Sequence, residues 1–130
     1  MTVTVFDTIG GEDAVRALVE RFYDLVESEP EGAQLRRLHS NGHGLAHARI
    51  EQFNFMCGFL GGRQHYMEKH GHLNVKQMHA HVPVRREDAD SWLLLMDKAM
   101  AEVGIAQATA KYMHMAFERV ATALVNEVVD

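Results

Sequence analysis

The chain has 130 residues, and its 13 Lys and Arg against 18 Asp and Glu give a formal net charge of −5 at pH 7. This length suits one domain, residues 1–130, and the acidic balance without a long basic run argues against nucleic acid as a partner. Because the sequence has no secretory start and no window of about 18 uncharged apolar residues, we predict a soluble cytoplasmic protein without a membrane span.

Apolar residues at helical spacing predict the first long helix from Glu12 to the residues before Pro30. The stretch AQLRRL then predicts one helical turn, and the glycines of HSNGHG predict a loop. A second long helix ends at Gly61 and Gly62, where a left-handed backbone is favoured. Its apolar stripe consists of Ala46, Ile50, Phe53, Cys57 and Leu60.

The second half of the chain predicts two more long helices. Residues 63–83 hold only a predicted two-turn helix from Val75 to His81, which Pro83 ends. A third long helix is predicted from Glu87 to Val103, and the last carries apolar residues from Ala110 to Val128 on one face. Four long helices without a convincing strand indicate an all-α fold.

Nine histidines are the compositional oddity, and four of them lie in HGHLNVKQMHAHVPV, residues 70–84. Zinc is only weakly indicated, because Cys57 stands alone and no H-E-x-x-H motif occurs. His43 and His47 stand four apart, but the glycines beside His43 favour coincidence. A carboxylate-bridged di-iron bundle is excluded, because no glutamate is followed by His at the third position.

Haem iron needs only one axial histidine beside an apolar cleft, because the porphyrin supplies four nitrogens. His79 is the best candidate, since apolar neighbours surround it in the predicted short helix and Pro83 stiffens the exit. The residues alone leave two alternatives open: a solvent-facing His79, and a cofactor-free bundle whose Met and aromatic stripes form its core. Cys57 fits the apolar stripe of the second helix as a small buried residue, and we assign it no chemical role.

Five segments of the chain resemble the second group of truncated haemoglobins when they are taken in order. They are GGEDAVRALVERFYDLV, FLGG, HGH, MHAHVPV and DADSWLLLMDKAM, and together they cover nearly the whole chain. The most specific element is the interval between His79 and Trp92. The resemblance implies a shortened globin in which two antiparallel helix pairs cross as a two-over-two sandwich around haem b.

The same resemblance assigns roles around the iron. It makes His79 the proximal ligand, Tyr23 the distal tyrosine and Trp92 the distal tryptophan. His39 aligns with a position over the haem face, where it could add a hydrogen bond or protonate near neutral pH. Core packing is the alternative for Tyr23 and Trp92, and solvent exposure is the alternative for His39.

On the second long helix, the resemblance puts Ala48 where most globins place a distal histidine. Gln52 follows one turn later, and Phe55 or Met56 lies on the same helix face. A polar amide then sits amid apolar contacts.

Around the ligand the chain departs from the group, which often has two arginines before the histidine and Pro-Phe after it. Here the corresponding stretch holds Lys76, Met78, His81 and Val82. Residues that would contact the haem or hold its propionates as cations or donors are Lys69, His70, His72, Lys76 and Met78.

Function follows from the implied pocket. Dioxygen bound opposite His79 acquires partial negative charge, which Trp92 N–H and Tyr23 O–H could stabilise, assisted by Gln52 or His39. Slow release argues against simple oxygen delivery and favours redox chemistry, either oxidation of nitric oxide to nitrate or reduction of peroxide. Because IGGEDA lacks G-x-G-x-x-G spacing, an external electron donor is expected.

Two other functions remain open from the sequence. One is an oxygen or nitric oxide sensor or ligand store. The other is an internally six-coordinate electron-transfer protein, in which His39, His47 or Tyr23 caps the iron. Expected small ligands are O2, NO, CO and peroxide, and the chain is expected to be a monomer or homodimer.

Overall fold

The computed structural model describes residues 3–40, 44–79 and 82–126. Of these residues, 78% are helical and none forms a strand, which confirms the predicted all-α class. The α-helices are α1 Val5–Ile9, α2 Glu12–Ser28, α3 Ala33–Ser40, α4 Leu45–Phe59, α5 His65–His70, α6 Val75–Met78, α7 Arg86–Glu102 and α8 Gln107–Leu124, and a 3₁₀ turn at Pro30–Gly32 joins α2 to α3.

The four long helices α2, α4, α7 and α8 match the predicted ones. Helix α2 packs against α4, α7 packs against α8, and α2 also contacts α7, so one helix pair crosses the other. Helix α2 buries one face completely, with Val15, Leu18, Val19, Phe22, Tyr23, Leu25 and Val26 in the core. The two-over-two sandwich therefore forms around the apolar face of α2.

The start of α7 shows why an acidic first turn favours a helix. Asp88 is 4% exposed, and one of its carboxylate oxygens accepts a hydrogen bond of 2.9 Å from the backbone N–H of Arg85. This bond satisfies a donor that the helix itself leaves without a partner.

Two short helices were not predicted. Helix α1 has five residues, too few for a periodic pattern; its Thr4 cap accepts a 3.1 Å hydrogen bond from the Asp7 N–H. The Phe6 N–H donates to the Leu60 carbonyl at 2.9 Å, so α1 is held against the end of α4. Helix α5 has six residues, and only Tyr66 among them is buried. Tertiary contacts rather than periodicity stabilise such elements.

Other differences concern lengths. Helix α3 has eight residues rather than one turn and includes His39, while α6 has only four residues and ends before His79. The Asn74 side chain caps α6 by accepting a 3.1 Å hydrogen bond from the Gln77 N–H. In the predicted apolar stripe of α4, Ala46 is exposed and Ile50 is 57% exposed, so these two positions of the stripe were wrong. Val128 lies outside the described residues.

No helix in the described parts of the chain combines the length and the hydropathy that a bilayer span needs.

Candidate haem site

His79 directly follows α6 and is half-buried. Its Nδ1 lies 2.7 Å from the carbonyl oxygen of Val75. Because a carbonyl oxygen only accepts, Nδ1 carries the hydrogen and Nε2 presents its lone pair. A backbone bond of this kind fixes both tautomer and ring orientation in a metal-binding histidine. The nitrogen available to a metal is therefore Nε2.

Tyr23 lies on α2 and is only 3% exposed. Its hydroxyl has no hydrogen-bond partner among the described residues, yet every fully enclosed side-chain polar atom there has one. The hydroxyl oxygen therefore still borders accessible space. Burial raises the pKa of Tyr23 well above its usual 10, although Arg49 opposes the shift. The phenol stays protonated at neutral pH and is a hydrogen-bond donor.

A chain of aromatic rings connects Tyr23 to Trp92 and on to α8. The Phe22 ring lies 4.9 Å from Tyr23 and 5.2 Å from Trp92, between the two. Trp92 meets Phe117 edge to face at 5.4 Å, and Phe117 stacks on Phe59 at 5.6 Å. Trp92 and Phe59 are half-buried, so this row ends in partly open apolar surface. Sequence reasoning did not assign Phe59 or Phe117 to the site.

His39 is held in the same way as His79. Its Nδ1 lies 2.7 Å from the Leu35 carbonyl oxygen, one turn earlier on α3. The ring meets Tyr23 edge to face, with centroids 5.8 Å apart. His39 is half-buried rather than fully solvent-facing. The structure thus brings His39 beside Tyr23, with Nε2 as the nitrogen left to accept.

The residues expected on α4 separate into two groups. Ala48, Gln52 and Phe55 are half-buried, and Phe55 stacks on Phe59 at 5.4 Å. Met56 is 0% exposed and belongs to the core between the helices. Of the two alternatives, Phe55 is therefore the side chain that remains partly open.

Two of the basic residues predicted to hold the propionates have other partners. Lys69 Nζ donates to Glu51 at 2.7 Å, and His70 Nε2 contacts the second oxygen of the same carboxylate. Burial raises the pKa of Glu51, but these two hydrogen bonds prevail and lower it below 4.5. Contact with a propionate would require this cluster to open. The partner role of Glu51 had no signal in the sequence, because it lies on a different helix.

Other residues predicted near the haem edge are placed as follows. The His72 Nδ1 accepts a 3.1 Å hydrogen bond from the Asn74 N–H. Lys76 is exposed and Met78 is half-buried. His81 lies outside the described residues, as does His43 of the pair with His47.

These observations fit a haem group. The imidazole of His79 offers Nε2 at the end of α6, and the buried phenol of Tyr23 reaches accessible space from α2. The aromatic row that starts at Tyr23 continues to the half-buried rings of Trp92 and Phe59. Haem demands one axial nitrogen and apolar surface, and both are present.

Residues 4–126 match the family model of the bacterial-like globins. The chain belongs to this globin family. Among characterised proteins the globin is similar to the group 2 truncated haemoglobin YjbI of Bacillus subtilis (strain 168), at 32% identity over 117 residues. That match covers 90% of this chain and 85% of the relative.

Solved structures agree with the assignment. The group II 2-on-2 haemoglobin from the plant pathogen Agrobacterium tumefaciens superposes with a TM-score of 0.90 at 34% identity, covering 98% of this globin and 97% of that chain. The truncated oxygen-avid haemoglobin of Bacillus subtilis gives a TM-score of 0.84 at 31% identity, covering 95% and 100%.

The predicted membership of the second group of truncated haemoglobins is thereby confirmed, as is its two-over-two globin fold. The cofactor of this globin is haem b, and its ligands are small gases such as O2. A cofactor-free helical bundle, the simplest alternative from the sequence, is wrong.

Proposed function

We propose that this globin binds dioxygen at a haem held by His79 and uses it in redox chemistry, with nitric oxide dioxygenation as the first candidate reaction. The observation that carries this proposal is the buried Tyr23 hydroxyl, which has no partner in the described residues and remains protonated. A donor kept in this state suits a ligand that becomes negatively charged on binding.

Haem iron supplies the ligand position and the electron-transfer chemistry when it is bound. The chain supplies two donors, the hydroxyl of Tyr23 and the indole N–H of Trp92. Phe22, which is 1% exposed, lies between the two rings and packs against both. Each hydrogen bond to a charged acceptor contributes about 1.5 to 3 kcal/mol, which slows ligand release by roughly 10-fold to 150-fold.

Oxygen that is released slowly is better suited to a reaction at the haem than to delivery elsewhere. One nitric oxide, one dioxygen and one electron give one nitrate ion; one hydrogen peroxide, two electrons and two protons give two waters. Both reactions need electrons from outside, because this globin carries no flavin or nicotinamide motif. We therefore infer an external reductase as its partner.

Stopped-flow measurement of oxygen dissociation tests the donor roles. Tyr23→Phe keeps the ring beside Phe22 and removes only the hydroxyl, and Trp92→Leu removes the indole N–H. Each variant is expected to release oxygen roughly 10-fold or more faster. Tyr112→Phe is the matched control, since Tyr112 is 64% exposed on α8, and its rate should not change. Unaltered rates in both Tyr23→Phe and Trp92→Leu would refute the donor assignment.

Turnover separates an enzyme from a sensor or ligand store. With a reductase and NADH supplied, the wild type should consume nitric oxide continuously and produce equal nitrate, and Tyr23→Phe should do so more slowly. A single stoichiometric burst, with no later consumption, would instead favour sensing or storage.

A second candidate is internal six-coordination with electron transfer, and the geometry of His39 favours it. The bond from its Nδ1 to the Leu35 carbonyl leaves Nε2 with a lone pair, as in an axial histidine. The ferric absorption spectrum distinguishes the candidates: a low-spin wild type that becomes high-spin in His39→Phe would support capping by His39. A spectrum that is high-spin in both excludes it.

A further inference from the structure

Three side chains from three helices meet, and none of them belongs to the aromatic row. Glu12 begins α2, Cys57 lies on α4, and His65 begins α5. One donor atom from each, a carboxylate oxygen, the thiol sulfur and an imidazole nitrogen, lies within 4.8 Å of the other two. Oxygen, sulfur and nitrogen donors in one cluster are the ligand types that zinc takes in proteins.

We propose that Glu12, Cys57 and His65 form a binding site for one Zn²⁺ ion, distinct from the haem site. A point can be found that is no more than about 2.8 Å from all three donor atoms, the 4.8 Å limit divided by the square root of three. Zinc bonds are roughly 2.0 to 2.3 Å long. Binding thus requires each donor to move by at most about 0.5 to 0.8 Å.

The cluster is already partly ordered. The Nε2 of His65 lies 2.9 Å from a carboxylate oxygen of Glu12. The His65 ring also stacks on Phe53, with centroids 5.9 Å apart, which restricts its rotation. Little side-chain freedom is left for the ion to remove, which favours binding.

Burial and charge define how an ion would enter. Cys57 is 0% exposed, whereas Glu12 is exposed and His65 is half-buried, so the ion approaches from the Glu12 side and the sulfur closes the inner end. Burial, and then the nearby Glu12 carboxylate, raise the pKa of the Cys57 thiol to about 11, so the ion must displace the thiol proton to solvent when it binds. The resulting thiolate and the carboxylate together neutralise Zn²⁺. The guanidinium of Arg16 opposes a cation, but it stacks 4.1 Å over the Phe53 ring.

Ligand softness selects zinc over harder ions. A thiolate and an imidazole disfavour Ca²⁺ and Mg²⁺, which take oxygen ligands. Three protein ligands leave the fourth tetrahedral position to water on the exposed side. Because the donors come from α2, α4 and α5, the ion would bind the folded chain and stabilise it.

Zinc titration of the full-length, haem-loaded protein tests this site, with bound metal counted after gel filtration. We expect one Zn²⁺ per chain, and a zinc X-ray absorption spectrum with one sulfur neighbour at about 2.3 Å. Glu12→Gln and His65→Gln each remove one donor near the surface. Each should weaken zinc binding by roughly 100-fold and leave the Soret band unchanged.

His114→Gln is the matched control, because His114 also lies beside two carboxylates, those of Asp97 and Glu118. Its zinc affinity should equal that of the wild type. Cys57→Ser should lose the sulfur signal; if that core variant fails to fold, the wild-type spectrum and the two surface variants still decide. A wild-type spectrum with only nitrogen and oxygen neighbours, or undiminished affinity in both surface variants, overturns the site.

Discussion

The rings of Tyr23 and His39 meet edge to face, at 87° and with centroids 5.8 Å apart. Such a pair contributes about 0.5 to 1.5 kcal/mol beyond its buried area. The backbone carbonyl of Leu35 fixes the imidazole from the other side. His39 therefore orients the tyrosine ring whether or not it also touches the ligand.

Two substitutions at His39 separate these roles. His39→Phe keeps an aromatic edge against Tyr23 and removes Nε2, whereas His39→Ala removes both. We expect His39→Ala to be less stable than His39→Phe by about 1 kcal/mol in urea unfolding, because only the alanine variant loses the ring contact. Equal stabilities would show that the contact contributes nothing.

His79→Gly should lose haem. Without the axial imidazole, the rate of haem transfer to an acceptor apoprotein should rise roughly 100-fold or more. Added imidazole should restore the Soret band, since glycine leaves space for the free ligand. The absorption spectrum and the transfer rate check both statements.

The control for this variant is His65→Gln, which removes a half-buried histidine of the proposed zinc site. It should retain haem as the wild type does. Normal haem retention by His79→Gly, without imidazole, would contradict the axial role.

Gly61→Ala should destabilise the fold more than Gly71→Ala. Both glycines have positive φ, 102° and 75°, so each alanine carries a conformational cost of about 1 to 2 kcal/mol. At Gly61 the new Cβ would also lie 2.7 Å from the Cβ of Thr4, whereas at Gly71 nothing lies within 4 Å. In urea unfolding, Gly61→Ala should therefore be less stable than Gly71→Ala by about 1 to 3 kcal/mol. Equal losses of stability in the two variants would contradict this prediction and would mean that α1 shifts without cost.

His114 links α8 to α7, and its contribution to stability should depend on pH. Hydrogen bonding to Asp97 raises the pKa of His114 above 6.5, burial opposes this shift, and Glu118 supports it. A raised folded-state pKa means that the stabilisation is fully present below about pH 6.5 and disappears as pH rises through the folded-state pKa. Because the pair is partly solvent-exposed, we expect less than about 1 kcal/mol.

Unfolding free energies of the wild type and His114→Gln, measured from about pH 5.5 to 9, check this prediction. Their difference should be largest at the acid end and vanish at the alkaline end. Asp97→Asn should reduce it, because that variant removes the main partner of His114. A difference that is constant with pH would contradict the mechanism.

Helices α2, α7 and α8 could be predicted because each buries a stripe that the 3.6-residue period reveals. In α4 only the second half of the predicted stripe is buried. Ile50 shows the limit of this reasoning, since it fits the stripe of α4 but points to solvent. Helix α1 has five residues, which is too short for a periodic pattern. It is held by the hydrogen bond from the Phe6 N–H to the Leu60 carbonyl. Such contacts between distant segments leave no local pattern.

The candidate site was predicted in a different way. His79, Tyr23 and Trp92 were assigned from the order and spacing of family motifs, and the structure adds that Phe22 lies between the rings of Tyr23 and Trp92. The cluster of Glu12, Cys57 and His65 could not be predicted, because its members lie far apart along the chain. The sequence therefore gave no indication that Cys57 lies beside other metal-binding side chains.

The second half of α4, from Phe53 to Phe59, has no exposed position, and Asn54 is its one polar side chain. A nascent chain that folds before its prosthetic group arrives would present the Phe55 and Phe59 rings to water, where they invite self-association or capture by chaperones. Porphyrin supply should thus limit how much of this polypeptide accumulates in a producing cell.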